Sequence, residues 1–167
     1  MEDKFKMLVL QIKDGNKDAF TEFYRLTVRY VYSIVYAYLL SNEDTEDVIQ
    51  NTYLKLYAIR KRVDPEKSIL AYMKRIAINY AFKQMRQKKK VIIKEASFAN
   101  EEGTKELIQE ALKKLEEKDR IVLALHYLDN TSVKEIGMLV HEKEGSVKSR
   151  LFRARKKLKE VINNEKI

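Results

Sequence analysis

The chain has 167 residues, which suffices for one ordinary domain or two small ones. Its four glycines and single proline are too few for the tight turns of an all-β fold, so the composition favours helix. Cysteine is absent and histidine occurs twice, which excludes disulfides, thiolate metal sites and a His-based metal cluster. The net charge of +9 indicates a polyanionic partner, either nucleic acid or an anionic membrane surface.

The apolar segments are too short for a membrane span. The first ten residues carry four charged side chains and lack the apolar run of a signal peptide. The most apolar window, Val31 to Leu40, falls far short of the ~20 residues that a membrane-spanning helix needs. We therefore expect a soluble, cytoplasmic protein without membrane insertion.

Apolar residues recur at helical spacing through the first part of the chain, which predicts four helices. A short first helix and a long second helix precede a third, whose start is marked by Ser41-x-x-Asp44. The fourth is predicted to begin at Asp64-Pro65, a good cap followed by a good first helical residue, and to run to about Lys88.

The periodicity fades after Lys88 and returns at about Lys105, in a second set of helices. The intervening stretch holds mixed charges and small residues, as a flexible linker does. The sequence therefore predicts an all-α fold of two small helical modules, residues 1–88 and 105–167, joined by a linker at 89–104.

The second module ends in a predicted helix-turn-helix. Ser132-x-x-Glu135 is a capping box that opens a short helix. Gly137 permits close approach where the two helices cross, and His141 tolerates the left-handed turn conformation expected after it. The last helix, about Glu144 to Glu160, follows, and this arrangement is typical of proteins that read DNA.

The last helix is strongly basic. Seven cations oppose two acids, which leaves a net charge of +5 (7 − 2) on its surface. Early residues of such a helix reach base edges and later cations lie near phosphates. The base-reading candidates are Lys148, Ser149, Phe152 and Arg153, and the phosphate candidates include Arg155 and Lys156. A solvated basic helix, or one lying on a membrane, is the alternative that we weigh against DNA binding.

Charge is segregated in the first module. Four acids crowd the start of the third helix between Glu43 and Asp47. Eight cations and no acid lie between Lys74 and Lys94. A protein that bridges a basic protein and DNA would need one anionic and one cationic face of this kind.

Three segments together resemble a known family. Residues 44–54, DTEDVIQNTYL, are similar to the DAEDLVQETFL run of bacterial RNA polymerase sigma factors, and most closely to the extracytoplasmic-function group. Residues 71–79, AYMKRIAIN, resemble that group's AWLYRIARN, and residues 144–155, EGSVKSRLFRAR, resemble its EGTVKSRLxRAR. The resemblance covers about residues 15–160 in the family's order and spacing.

The resemblance implies three sets of contact residues. The polymerase-binding set, at the clamp helices of the largest subunit, is Asp44, Glu46, Asp47, Gln50 and Tyr53. The set for the −10 promoter element, with a flipped base near Asn79, is Arg62, Val63, Asp64, Lys74, Arg75, Asn79, Lys83 and Arg86. The set for the −35 element is Lys148, Ser149, Arg150, Phe152, Arg153, Arg155 and Lys156.

The resemblance also implies the partners. These are core RNA polymerase, with the flap of the second-largest subunit as a further contact, promoter DNA and an anti-sigma factor. The chain would be a monomer when free, and it would need no catalytic residue, cofactor or metal, because binding flipped bases opens the strands.

Two other functions remain open from the residues. An autonomous helix-turn-helix regulator would bind its operator alone, with a Kd of roughly 10⁻⁸ M or tighter. An adaptor that uses only the acidic helix would not read a promoter.

Overall fold

The computed structural model describes residues 2–91 and 110–164, and every regular element in these two segments is helical. The first segment contains α1 (Glu2–Lys13), α2 (Lys17–Leu39), α3 (Asn42–Ala58), a 3₁₀ turn (Arg60–Arg62) and α4 (Ile69–Val91). The second contains α5 (Glu117–Tyr127), α6 (Val133–Val140) and α7 (Glu144–Asn164), preceded by helical residues 110–113. The all-α prediction is confirmed. Most of the predicted linker and the predicted helix start near Lys105 lie outside the described residues.

Helix α3 begins where the sequence predicts. Leu40 ends α2 in the left-handed conformation, with φ at 53°, and Ser41 then caps α3. The Ser41 Oγ accepts a hydrogen bond from the backbone N–H of Asp44 at 3.3 Å. The acids of the first turns therefore lie at the positive end of the helix, which stabilises them.

Helix α4 begins four residues later than predicted. The Asp64 carboxylate accepts the N–H of Glu66 at 3.0 Å, which closes a turn around Pro65 instead of a helix. Ser68 is the residue that caps the helix, because its Oγ accepts the N–H of Ala71 at 3.3 Å. Residues 60–68 are therefore a loop with a 3₁₀ turn.

The helix-turn-helix forms as predicted. Ser132 and Glu135 complete the capping box at the start of α6, and His141 ends that helix in the left-handed conformation, with φ at 57°. A Cβ added to Gly137 would lie 2.7 Å from the backbone oxygen of Glu142. Glycine is required there because the turn passes directly over it.

The two modules pack against each other through one continuous core. Buried side chains such as Phe23 and Met73 from the first module join Ile121 and Leu125 from α5 in the same cluster. Arg120 crosses the junction: its Nε donates to the carbonyl of Tyr38 at 3.1 Å. The helices of residues 2–91 and 110–164 lack the combination of length and apolar composition that a membrane span requires.

Candidate nucleic-acid interface

Helix α7 presents an open row of polar, aromatic and cationic side chains. Val147 and Leu151 are buried in the core, so the opposite face of the helix points to solvent. Phe152 is 71% exposed, and the Arg155 guanidinium lies 5.3 Å from the centre of the Tyr127 ring. The predicted −35 residues that are exposed are Lys148, Ser149, Phe152, Arg153, Arg155 and Lys156.

Arg150, the remaining predicted −35 residue, points away from that face. Its Nε and Nη2 donate to the two carboxylate oxygens of Glu142 at 2.8 and 3.1 Å, and its Nη1 donates to Asp119 at 2.8 Å. The hydrogen bond from Arg150 holds the pKa of Glu142 below its usual range. Arg150 therefore ties α7 to α5 and to the turn, and its contact with DNA stays a prediction. Its position, three residues after Val147 and beside the apolar stripe, is the signal that could have identified this role.

Helix α4 carries a second cationic surface. Arg75, Asn79, Lys83 and Arg86 follow one another at intervals of three or four residues and are all exposed, so they share one face of the helix. Arg62 and Asp64 are exposed in the preceding loop. Most of the predicted −10 residues are thus brought together along α4 and the loop before it.

Two predicted −10 residues, Val63 and Lys74, do not lie on this exposed surface. The Val63 side chain is 8% exposed and joins the core, while its carbonyl accepts a hydrogen bond from Lys13 at 2.8 Å. Lys74 donates to the carboxylate of Asp129 and to the Thr131 hydroxyl at 3.1 Å, and its side chain is 15% exposed. Val63 therefore anchors the loop, and Lys74 is engaged by the second module.

Lys74 has partners that the sequence does not predict. The Tyr30 hydroxyl on α2 donates to the same Asp129 carboxylate. Burial, with the hydrogen bond and charge of Asp129, raises the pKa of Tyr30. No pattern in the sequence could have linked Tyr30 with a residue in the other module, because only the packing of the modules brings them together.

A cleft of about 770 Å³ lies between the two modules beside Lys74. Its first wall is formed by the loop and the start of α4, including Arg62, Tyr72 and Arg75. Its second wall is formed by α6, with Glu135 and Met138. The part of the candidate −10 surface from Arg62 to Arg75 therefore faces the helix-turn-helix.

The predicted polymerase-binding residues divide into exposed and buried groups. Glu46, Asp47 and Gln50 are exposed along α3. Asp44 is 5% exposed and accepts a hydrogen bond from Gln84 on α4 at 3.1 Å. Tyr53 is 4% exposed. The pKa of its hydroxyl is raised to about 12, chiefly because the side chain is buried. Asp44 and Tyr53 therefore support this surface from within, and their direct contact with polymerase stays a prediction.

An apolar groove of about 750 Å³ runs beside the exposed acids, between α2 and α3. Tyr24 and Leu54, which are 40% and 62% exposed, line it together with Glu46 and Gln50. Neither Tyr24 nor Leu54 is among the site residues predicted from the sequence. A partner helix with basic and apolar side chains would match this groove.

The described residues contain no group of three or more His, Asp or Glu side chains that could hold a metal ion. The geometry instead offers two cationic surfaces, α4 and α7, and one acidic and apolar surface on α2 and α3. Surfaces of this kind are suited to binding charged polymers and proteins.

Comparison with known proteins finds two sigma-70 regions in the chain. The model of sigma-70 region 2 matches residues 23–91, and the model of sigma-70 region 4 matches residues 105–158. The chain is 26% identical over 186 residues to the ECF RNA polymerase sigma factor SigW of Bacillus subtilis, covering 98% of this chain and 100% of that protein. It is 27% identical over 185 residues to the ECF RNA polymerase sigma-E factor of Escherichia coli, covering 96% and 93%.

Two solved structures share the fold. The sigma factor RpoE of Bartonella quintana, solved with the anti-sigma factor NepR, gives a TM-score of 0.75 at 21% identity, covering 89% of this chain and 98% of that one. CnrH, solved with the cytosolic domain of CnrY, gives a TM-score of 0.69 at 20% identity, covering 96% and 98%. With both regions matched in order, this chain belongs to the sigma-70 family of bacterial RNA polymerase sigma factors, in its extracytoplasmic-function group.

Proposed function

We propose that this chain binds core RNA polymerase in the cytoplasm and directs transcription initiation at one class of promoters, by binding alone and without catalysis. The observation that carries the proposal is the match of both sigma regions, joined with three separate surfaces of suitable charge. Residues 1–88 would act in polymerase binding and −10 recognition, and 105–167 in −35 recognition, with 89–104 as the linker.

The polymerase contact is assigned to α3 and its groove. The exposed Glu46, Asp47 and Gln50 supply an acidic surface, and Tyr24 and Leu54 supply apolar area beside it. An acidic rim around an apolar centre favours a basic amphipathic helix, such as a clamp helix of the largest subunit. The second module would contact the flap of the second-largest subunit.

The −10 contact is assigned to the exposed face of α4 and the loop before it. Asn79 can hydrogen-bond the edge of an extruded base, and the cations on either side can follow the strand's phosphates. Arg62 and Asp64 in the loop would enclose that base. Single-strand binding of this kind favours the melted promoter without hydrolysis of a nucleotide.

The −35 contact is assigned to the exposed face of α7. Ser149, Phe152 and Arg153 lie on the first turns, where base edges are within reach, and Arg155 and Lys156 lie further along, near phosphates. An arginine suits guanine and an aromatic ring suits a thymine methyl. A regulatory partner of the anti-sigma class is part of the proposal, since RpoE was solved with one.

Run-off transcription tests the proposal. Bacterial core polymerase is incubated with or without the chain on a pool of genomic fragments, and transcripts are sequenced. We expect a small set of fragments to be transcribed only when the chain is present, and the chain to co-purify with core polymerase. Absence of both results would contradict the proposal. An autonomous regulator would instead bind fragments tightly without core polymerase and activate none.

A further inference from the structure

Asp129 is held by donors of the first module. Its carboxylate accepts hydrogen bonds from the Tyr30 hydroxyl on α2 and from the Lys74 ammonium on α4. The side chains of Lys74 and Asp129 are only 15% and 8% exposed. We call the pair of donors, Tyr30 and Lys74, the anion seat. It presents one neutral and one charged donor to a single anion, which is a strong arrangement for an oxygen ligand.

The second module presents Asp129 on a tight turn. Asn130 adopts the left-handed conformation, with φ at 50°, and the backbone N–H of Thr131 donates to the carbonyl of Leu125 at 2.9 Å. Thr131 is 4% exposed and its hydroxyl also contacts the Asp129 carboxylate. The turn therefore fixes the carboxylate in the seat, and separating the modules would withdraw it as one unit.

The anion seat adjoins the proposed −10 surface. Lys74 precedes Arg75 on α4, and both line the cleft together with Arg62 and Lys67 from the loop. On the other wall of the cleft, α6 contributes the carboxylate of Glu135. The pKa of Glu135 is lowered, chiefly by the hydrogen bonds from Ser132 and to a smaller extent by the charge of Lys74. The second module thus places two carboxylates, those of Asp129 and Glu135, against cations of the surface assigned to DNA.

From this geometry we infer that Tyr30 and Lys74 bind a backbone phosphate of the promoter strand, and that in the free chain the carboxylate of Asp129 occupies its place. The inference rests on the proposed function and adds Tyr30 to its DNA-binding residues. A phosphodiester, like a carboxylate, offers two anionic oxygens that can accept from a hydroxyl and an ammonium at once. The closed arrangement of the modules and strand binding at the seat exclude each other.

Replacement of the Asp129 carboxylate by a phosphate explains how one chain can be closed when free and still bind DNA in a complex. Opening the modules loses the contacts of Asp129, and strand binding replaces them with contacts of the same kind. DNA affinity of the free chain is therefore reduced by the fraction of molecules that are closed. A partner that holds the modules apart, such as core polymerase, would release this inhibition.

The test compares DNA binding of single and double variants of the full chain. Fluorescence anisotropy with a labelled, mixed-sequence single-stranded oligodeoxynucleotide measures Kd at a fixed salt concentration. Asp129→Asn removes the competing charge, and we expect it to tighten binding several-fold. Adding Tyr30→Phe to Asp129→Asn removes a phosphate donor from the open chain, and we expect it to weaken binding several-fold relative to Asp129→Asn alone.

Two controls separate these effects from general changes. Asp18→Asn makes the same change of net charge at an exposed site in the first turn of α2, and it should leave Kd within about twofold. Circular dichroism checks that every variant is folded. Because the chain lacks cysteine, dyes at Lys17→Cys and Lys157→Cys report the distance between modules, which we expect to increase on average in Asp129→Asn.

Unchanged or weaker DNA binding by Asp129→Asn would overturn the inference. Equal binding by Asp129→Asn and the double variant would overturn the role of Tyr30 as a phosphate ligand. The proposed function fails separately, if the wild-type chain neither associates with core polymerase nor drives run-off transcription, because the oligonucleotide measurement does not involve polymerase.

Discussion

Helices α4 and α7 both present cations for DNA, but they differ in what covers them. On α7 six of the seven predicted residues are exposed, and the exception, Arg150, is paired within its own module. On α4 the exposed cations share one face, yet Lys74 is paired across the module boundary with Asp129. Charge counted along a sequence therefore does not measure charge available to a ligand, because the packing partner decides it.

The largest expected effect is a loss of stability of the second module when Arg150 is removed. Arg150→Ala leaves the carboxylates of Glu142 and Asp119 mostly buried without their shared partner. We expect it to lower the free energy of unfolding by about 3 kcal/mol, since breaking a mostly buried ion pair leaves charge uncompensated. The measurement is urea unfolding followed by circular dichroism.

Lys148→Ala is the matched control for that variant. Lys148 is an exposed cation two residues earlier on the same helix, so we expect a change within about 0.5 kcal/mol. Equal destabilisation by the two variants would contradict the distinction between a cation that supports α7 and one that faces solvent.

A second prediction distinguishes the role of the acidic surface on α3 from the roles of the two cationic surfaces. Reversing charge at Glu46 and Asp47 together, both to Lys, should weaken association with core polymerase about tenfold to a hundredfold, because two exposed charges would then repel a basic partner. Binding of the isolated chain to −35 DNA should be unchanged. Surface plasmon resonance with immobilised core polymerase measures the first quantity.

Asp18→Lys with Glu22→Lys serves as the control for that pair, because both residues are exposed acids on α2 and lie outside the acidic run of α3. If this control weakened polymerase binding as much as the reversal on α3 did, the effect would come from net charge, and the assignment of the α3 surface would be wrong.

A third prediction concerns the open face of α7. Arg153→Ala should reduce discrimination at a single base of the −35 element by about 1–3 kcal/mol and leave the unfolding free energy unchanged. Competition binding with a set of single-base variants of the element measures this. Uniform weakening across all the variants would instead identify Arg153 as a phosphate contact.

The smallest expected effect is on the pH dependence of stability. The pKa of Glu142 is lowered in the folded chain, chiefly by the hydrogen bond from Arg150, so its contribution to stability is present above the ordinary Glu pKa of about 4.3. That contribution is lost as the pH falls through the folded pKa. Between pH 5 and about 3, Glu142→Gln should therefore lose less stability than the wild type does. Identical pH profiles would contradict the assigned pair.

Local signals in the sequence predict the fold well. The caps at Ser41 and Ser132, the left-handed turn at His141 and the close approach at Gly137 each depend on neighbours within a few residues, and each forms as predicted. The predicted start of α4 was wrong because the Asp64 side chain caps a turn as readily as a helix. Which of the two forms depends on how the loop packs against the rest of the module.

Contacts between distant parts of the chain limit prediction of the site. The motif at residues 44–54 contains Asp44 and Tyr53, but it does not distinguish exposed from buried side chains. The packing of α3 on α2 and α4 decides which of these side chains are accessible. Arg150 could have been recognised from its place beside the apolar stripe. The pairing of Tyr30 and Lys74 with Asp129 could not, because it requires the relative position of two modules.

The most direct test of these assignments is the affinity for one promoter fragment, measured with the chain alone and with the chain bound to core polymerase. We expect the chain alone to bind more weakly than roughly 10⁻⁸ M at physiological salt, and the complex to bind tightly and protect both the −10 and −35 elements from cleavage. Equally tight binding by the chain alone, with protection limited to one element, would contradict these assignments and identify an autonomous regulator.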